Sequence, residues 1–478
     1  MRMEFCGANR TVTGSSHLIE IAGKRILLDC GMYQGKREVA RQLNETLPEG
    51  GIDAVILSHG HLDHCGKLPV LVKRGYAGPI YATPATVDVA RIVLLDSAEI
   101  QEEDAQYLNR RTRPDGEAEV EPLYRRADVH TVLKLFKRVQ YATKIDLGNG
   151  VSATLHDAGH ILGSAYVVLR WSESGGPKSL LFTADIGRKG TPILRDPEPL
   201  TQHFDSIITE STYGGRRHAP MDDIEPQFAE AVHQIVQSRG RLILPSFAVG
   251  RTQTMLWHYM KLMQSQQLPK ISIYIDSPMG AEVSHVTGEY TELWDDESIA
   301  MLNFPRVKEA LQMVRFAISA QQSREINNDP GPCIIIASSP TCEFGRVLHH
   351  LKVSVERPSD LVLFTGWIPP QTLGRRLQDG AKRVRIYERL YEVKCQTRTL
   401  HGLSAHADGE ELAAFLLPGI GPETVVHVVH GEADQAEAMA RKALDLGARF
   451  ASVPALHSST LSGVVTTGPA MRDSGVME

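Results

Sequence analysis

The segment Ser58-His-Gly-His-Leu-Asp-His64 places His59, His61, Asp63 and His64 within six consecutive positions. Imidazole nitrogens with a carboxylate suit borderline divalent cations, zinc above all, and four such groups can divide between two adjacent ions. The stretch just before it, residues 53–57, is short, apolar and β-branched, and reads as a buried strand. The four side chains then lie in the turn where that strand ends, where they can converge. Three more acids sit in the same way: Asp29 closes one apolar run, Asp185 another and Glu210 a third. His160 lies in a loop between strands, in His156-Asp-Ala-Gly-His160. Buried strands that deliver polar residues at their carboxyl ends are how open α/β architectures assemble sites. Beside a histidine cluster, Asp29 is expected to orient a ligand histidine from outside the metal shell.

The elements that must carry these residues fall into two groups. Residues 11–31 read as a hairpin, 68–74, 84–110 and 123–140 as helices, 143–155 as short strands, and 165–171 and 179–183 as paired strands. From about residue 221 helices and strands alternate, with strands expected at 241–246, 271–275, 333–339 and 360–366. That pattern implies a separate domain built on a mainly parallel sheet. The last segment returns to a strand at 424–430 after a helix at 409–417, and the tail after Gly463 reads as flexible.

With 478 residues, the chain needs more than one core. Its 42% hydrophobic and 23% charged content is that of a folded globular protein. The opening Met-Arg-Met-Glu-Phe-Cys-Gly has no apolar signal segment and no run is long enough to span a bilayer, so the expectation is a cytoplasmic protein with no membrane partner. The six cysteines are scattered with no Cys-x-x-Cys pair, against both a disulfide framework and a zinc ribbon. A net charge of −6 supplies no global attraction to nucleic acid, leaving local arginines to do so.

The motifs together resemble a known family. His-x-His-x-Asp-His followed by His160 and Asp185 is similar to the metallo-β-lactamase fold. Glu210 in Thr-Glu-Ser-Thr-Tyr-Gly, His406 in Leu-Ser-Ala-His-Ala-Asp and His430 in Val-His-Gly-Glu resemble the further motifs of its β-CASP branch of nucleic-acid-processing nucleases. The resemblance implies an α/β protein, an αββα sandwich with an inserted α/β β-CASP domain. The expected division is 1–212 for the first part of the sandwich, 213–395 for the insertion and 396–478 for the second part. Gly250-Arg251, Asp276-Ser-Pro-Met and Gly345-Arg346 look like fingerprints of the insertion. Two stretches depart from the family pattern: Ser339-Pro-Thr-Cys-Glu-Phe-Gly-Arg346 and Trp367-Ile-Pro-Pro370.

By the same resemblance, two zinc ions are expected per chain. His59, His61 and His160 would hold one, Asp63, His64 and His430 the other, and Asp185 would bridge. Two metals about 3.5–4 Å apart can share an activated hydroxide for in-line attack at phosphorus. Asp63, Glu210 and His406 are the candidate catalytic residues, with the Glu210–His406 pair protonating the leaving ribose oxygen. Ser404, Ala405 and the amides of the following helix start, with Arg251 and Arg346, are candidate phosphate contacts. Basic runs at residues 110–113, 216–218 and 375–376 could assist, whereas His156 and His427 are read as structural. The expected activity is hydrolysis of single-stranded RNA, endonucleolytic, with 5′-to-3′ exonucleolysis left open. A homodimer is compatible with the chain. A small-ester or thioester hydrolase of the lactamase or glyoxalase type is the competing enzyme reading, and a non-catalytic RNA-processing scaffold the competing non-enzyme one.

Overall fold

The apolar runs that end on polar residues build two β-sheets. A computed structural model of the chain describes residues 1–35, 37–111, 119–366, 368–456, 458–461 and 464–466. Contacts divide it into two units: Met1–Lys189 with Asp196–Arg217 and His406–Glu478, and Gly190–Arg195 with His218–Ala405.

In the first unit, one sheet has eight strands. Its order is Val464–Thr466, Ser459–Leu461, Arg2–Phe5, His17–Ile21, Lys24–Leu28, Ala54–Ile56, Ile80–Ala82 and Phe136–Arg138. The other has seven: Ile145–Gly148, Val151–Asp157, Ala165–Glu173, Gly176–Phe182, Ser206–Thr209, Val425–Val428 and Phe450–Ser452. Phe5, Ile19, Ile26 and Ile56 of the first share one buried cluster with Leu155, Val167, Leu180 and Ile208 of the second, so the sheets pack face to face. The outer face of the seven-stranded sheet is covered by helices Gly409–Leu416 and Ala433–Asp445, whose Leu412, Phe415 and Met439 meet Tyr166, Val168 and Val426. Helices Leu68–Lys73, Pro84–Arg111 and Arg126–Leu135 complete the αββα sandwich.

Two elements depart from the expectation. The helix expected over 123–140 stops at Leu135, and Phe136–Arg138 pairs in parallel with Ile80–Ala82. The open sheet edge offers a ladder of hydrogen bonds there, and tertiary pairing overrides local helical periodicity. Val464–Thr466, expected to be flexible, forms an antiparallel pair with Ser459–Leu461. The rest of that tail, residues 112 and 113 of the first basic run and Trp367 lie outside the described residues.

The second unit is organised on a six-stranded sheet in which every pairing is parallel. Its order is Val314–Phe316, Ser272–Asp276, Cys333–Ala337, Arg241–Pro245, Leu361–Phe364 and Gln396–Thr399. The two-residue period of a strand is visible in its core. Leu242, Leu244, Ile273 and Ile275 face one cluster with Phe228, Val232 and Leu256, whereas Ile243, Tyr274 and Ile335 face another with Val347 and Leu351. Both faces are therefore buried, as βα crossovers require. Among the described residues no helix is long and apolar enough to cross a membrane. All six cysteines are buried and unpaired.

Candidate metal centre

All the histidines and acids of the candidate centre belong to the first unit. Short strands end at Leu28, Ile56, Phe182, Thr209 and Val428, and within a few residues of each end lies Asp29, His59, Asp185, Glu210 or His430. The chain turns sharply at these points. Asp29, Ala184 and His430 have φ of 59°, 47° and 49°. Left-handed backbone in a non-glycine residue costs roughly 1–2 kcal/mol each, so the surrounding sheets must impose it. Gly31 has a different reason: a Cβ there would lie 1.6 Å from the Asp63 carbonyl oxygen. Only glycine lets the loop after Lys24–Leu28 pass against the histidine segment.

Among the described residues the converging side chains form three groups, each with ligand atoms within 4.8 Å of one another: His59, His61, His160 and Asp185; Asp63, His64 and His430; and Asp185, Glu210 and His406, the first and third sharing Asp185. Asp185 Oδ2 lies 3.6 Å from His59 Nε2, 3.3 Å from His64 Nε2 and 3.6 Å from His160 Nε2. Its Oδ1 lies 3.4 Å from His430 Nδ1. The Asp185 carboxylate thus stands between the first two groups.

Asp29 is the hub behind them. Its Oδ2 accepts from His64 Nδ1 at 2.7 Å, Ser58 Oγ at 3.0 Å and Ser15 Oγ at 3.1 Å, and its Oδ1 from the Ser58 amide at 2.8 Å. With its proton given to Asp29, Ser58 Oγ faces His59 Nδ1 at 3.0 Å as an acceptor. Both imidazoles are thereby held with Nδ1–H pointing backwards and the Nε2 lone pair pointing into the centre.

These donors fit a divalent metal. His59 Nε2 faces His61 Nδ1 at 3.1 Å, His160 Nε2 faces the same atom at 3.3 Å, and His64 Nε2 faces His430 Nε2 at 3.2 Å. Nitrogen lone pairs brought this close need a shared cation or proton between them. Asp185 Oδ1 is buried and has no hydrogen-bond donor among the described residues. Nitrogen and carboxylate ligands of this kind are those of zinc.

Comparison with known proteins agrees with this geometry. Residues 18–188 match the model of the metallo-beta-lactamase superfamily domain, 252–377 that of the Beta-Casp domain, and 390–453 that of the Zn-dependent metallo-hydrolase RNA specificity domain. Ribonuclease TTHA0252 of Thermus thermophilus is 33% identical over 443 residues, covering 92% of this chain and 95% of its own. The chain belongs to the β-CASP branch of the metallo-β-lactamase superfamily. Transcription termination factor FttA of Methanocaldococcus jannaschii is 29% identical over 454 residues, and the one of Methanosarcina mazei 26% over 430. This β-CASP chain spans 67% and 64% of the length of those archaeal factors. A crystal structure of a protein of unknown function from Enterococcus faecalis V583 shares the fold, with a TM-score of 0.52 at 14% identity over 97% of this chain and 99% of that one. As a member of this branch, the chain is a metal-dependent hydrolase.

The charges in this β-CASP centre are set by burial working against mutual attraction. Burial drives His59 well below its usual range and His61 down to about 4, leaving both neutral at physiological pH and able to donate lone pairs. Burial opposes the charged form of Asp63 too, but the His430 hydrogen bond and the neighbouring imidazoles hold it down at about 2. His64 shows the opposite balance, because Asp185 and Asp29 outweigh its desolvation and raise it well above normal. A metal would displace the proton that His64 Nε2 otherwise shares with Asp185.

His406 is fixed beside the centre by a bridge to Gly187 and by the Ala407 amide, which donates to the Ile186 carbonyl at 2.8 Å. Its Nδ1 lies 3.2 Å from Glu210 Oε2, while Glu210 Oε1 accepts from the Ile186 amide at 2.6 Å. Burial would depress the His406 pKa, but the charge and hydrogen bond of Glu210, with Asp185 behind, raise it to about 9.

Other expected residues fall elsewhere. Arg251, Arg346, Ser404 and Ala405 belong to the second unit. Arg346, expected at a phosphate, is held by partners within its own unit. Its Nη1 donates at 2.8 Å to Asp276 Oδ1 and to the Ala317 carbonyl, and its Nη2 donates to the Ile318 carbonyl. The amides expected to receive phosphate at the start of helix Gly409–Leu416 are likewise engaged. Asp408 Oδ1 accepts from Glu410 N and Glu411 N at 2.9 and 3.0 Å, so a carboxylate caps the site an anion would need. Three site residues escaped the sequence reading: Ser15, Ser58 and Thr212, whose Oγ1 lies 3.2 Å from His430 Nδ1. Ser58 and Thr212 each sit within two residues of a named acid or histidine, and a short hydroxyl there is the one signal that could have marked them.

Proposed function

We propose that this β-CASP protein is a zinc-dependent ribonuclease that hydrolyses RNA phosphodiester bonds endonucleolytically with two metal ions. One observation carries the reading: two nitrogen-rich ligand groups meet at a single buried carboxylate, Asp185, with an acid–imidazole pair alongside. His59, His61 and His160 would hold one ion, Asp63, His64 and His430 the other, and Asp185 both. When bound, the ions would supply Lewis acidity and a water nucleophile usable at neutral pH. The protein's own groups do the rest. Asp29 and Ser58 keep ligand nitrogens aimed inward. Asp63, with its pKa near 2, stays ionised through any working pH. Glu210 keeps His406 protonated on Nδ1 and cationic, so that Nε2 can give a proton to the departing ribose oxygen. RNA as the substrate is supported by the match to an RNA specificity domain and by the 33% identity to a protein named a ribonuclease. Arg251, Ser404 and Ala405 remain the proposed phosphate contacts.

The test is cleavage of end-labelled single-stranded RNAs carrying 5′-triphosphate, 5′-monophosphate or 5′-hydroxyl ends. Internal products independent of the 5′ end, abolished by a chelator and by His59→Ala, are expected. Turnover of thioesters or β-lactams with RNA left intact would replace this reading with the small-ester one.

A further inference from the structure

The carboxyl edge of the parallel sheet in the second unit carries a feature that the metal chemistry does not use. Arg241–Pro245 and Cys333–Ala337 are neighbours with Pro245 opposite Ala337, and the Ser246 amide extends the ladder by donating to the Ala337 carbonyl at 3.0 Å. Next comes Phe247, 63% exposed. Its backbone is not loose: its carbonyl accepts from Thr252 Oγ1 at 2.7 Å and from the Thr252 amide at 3.2 Å. The loop after the neighbouring strand presents Phe344, 62% exposed. That loop is pinned after the ring by the Val347 amide, which donates to the Ser338 carbonyl at 3.0 Å, and before it by residues 341–343. Cys342 is fully buried, Gly374 N donates to the Thr341 carbonyl at 2.8 Å, and the Glu343 carboxylate accepts from the Leu373 amide.

Two phenylalanines are thus held in water on fixed backbones, in the loops that follow adjacent strands. A core would have absorbed them, and mobile loops would have let them fold back. Further along the same edge the chemistry turns basic. Arg251 begins helix Arg251–Gln264 and donates to the Thr365 carbonyl, at the end of the next strand. Beyond it a cleft of about 380 Å³ is lined by Gly366, Arg375, Thr399 and His401, with Arg375 paired to Asp379. Open α/β sheets place ligands outside the carboxyl ends of their strands. Flat aromatic faces next to cations are what a single-stranded nucleic acid uses, stacking its bases on the rings and laying its phosphates along the positive side.

We propose that Phe247 and Phe344 form a base-stacking platform for single-stranded RNA, with the sugar–phosphate backbone running toward Arg251 and His401. The assignment rests on the ribonuclease reading and adds to it where the bases are held. Phe344 lies in the stretch that departs from the family pattern.

The experiment measures fluorescence anisotropy of a short phosphorothioate-linked oligouridine with the metal-loaded full-length protein. Phe247→Ala and Phe344→Ala should each weaken binding by about tenfold, the loss of one stacked base. Phe→Trp at either position should retain binding, and Ile299→Ala, at an exposed apolar position elsewhere in the unit, should leave it unchanged. If the double alanine variant binds like the wild type while the wild type cleaves RNA, the platform is refuted and the ribonuclease reading stands. If the wild type neither binds nor cleaves RNA, both fall. If the wild type sediments as a dimer and the double variant as a monomer with unaltered RNA affinity, the surface serves a second copy of the chain and the assignment is overturned.

Discussion

Replacing Asp29 by asparagine tests whether the metal centre is organised from behind. The native residue has φ of 59°, a conformation that asparagine adopts more readily than most other residues, so Asp29→Asn removes charge without adding backbone strain. The carboxylate accepts from His64 Nδ1, Ser15, Ser58 Oγ and the Ser58 amide, and an amide turns an NH2 toward some of those donors. Loss of a partner that orients a ligand histidine costs about 10–100-fold in metal affinity, equivalent to about 1.4–2.7 kcal/mol. The two ions should not suffer equally. His64, in the group with Asp63 and His430, touches Asp29 directly at 2.7 Å, whereas His59, in the other group, is reached only through Ser58. Asp29→Asn should therefore weaken chiefly one ion, and Ser58→Ala chiefly the other. Competition with a chromophoric chelator, with stoichiometry by elemental analysis, reads both. Two ions retained at wild-type affinity in both variants would refute the argument that Asp29 sets the ligand tautomers.

The other predictions concern the acid pair, the buried histidines and the second unit. His406→Ala should lower RNA turnover by about 10²–10⁴-fold at unchanged metal content, and loss of metal instead would make His406 a ligand. Because Glu210 is what raises the His406 pKa, Glu210→Gln should shift the alkaline limb of the pH–rate profile to lower pH; an unmoved limb would exclude His406 as the acid. Burial lowers His17 to about 3 and His427 to about 4, so each is neutral when folded, and protonation favours the unfolded chain. Their contribution is intact above pH ~6.5 and is lost as pH falls, by about 1.4 kcal/mol per pH unit for each. His17→Leu should accordingly flatten the acid arm of a urea-denaturation series, and an unchanged slope would refute this. Arg346→Ala should destabilise the second unit by about 2–3 kcal/mol, because it leaves the Asp276 carboxylate buried beside fewer donors. A variant of normal stability that binds RNA poorly would restore Arg346 as a phosphate contact.

What could be read from the sequence, and what could not, follows from where the information sits. His59, His61, Asp63 and His64 share one turn, and their convergence needs only the local strand before them. Leu242, Ile243 and Leu244 announce a doubly buried strand by an unbroken apolar run. The helix end at Leu135 was not legible, because the force that stops it is the edge of Ile80–Ala82, whose residues pair with ones 56 positions later. Arg346 poses the same difficulty in a sharper form. A motif arginine beside a glycine reads as a phosphate contact until Asp276, seventy residues earlier, is seen to hold its guanidinium. The capped helix at Gly409 shows the limit from the other side: Asp408 and Glu411 were in plain view at capping-box spacing, so the carboxylate that blocks an anion there could have been foreseen. Local chemistry is written locally. A side chain's availability is decided by partners elsewhere in the chain, so a cation or an amide can be assigned to a substrate only after its partners within the fold have been counted. By that criterion Asp185, a buried carboxylate whose Oδ1 no donor among the described residues satisfies, is the site's strongest claim on a ligand.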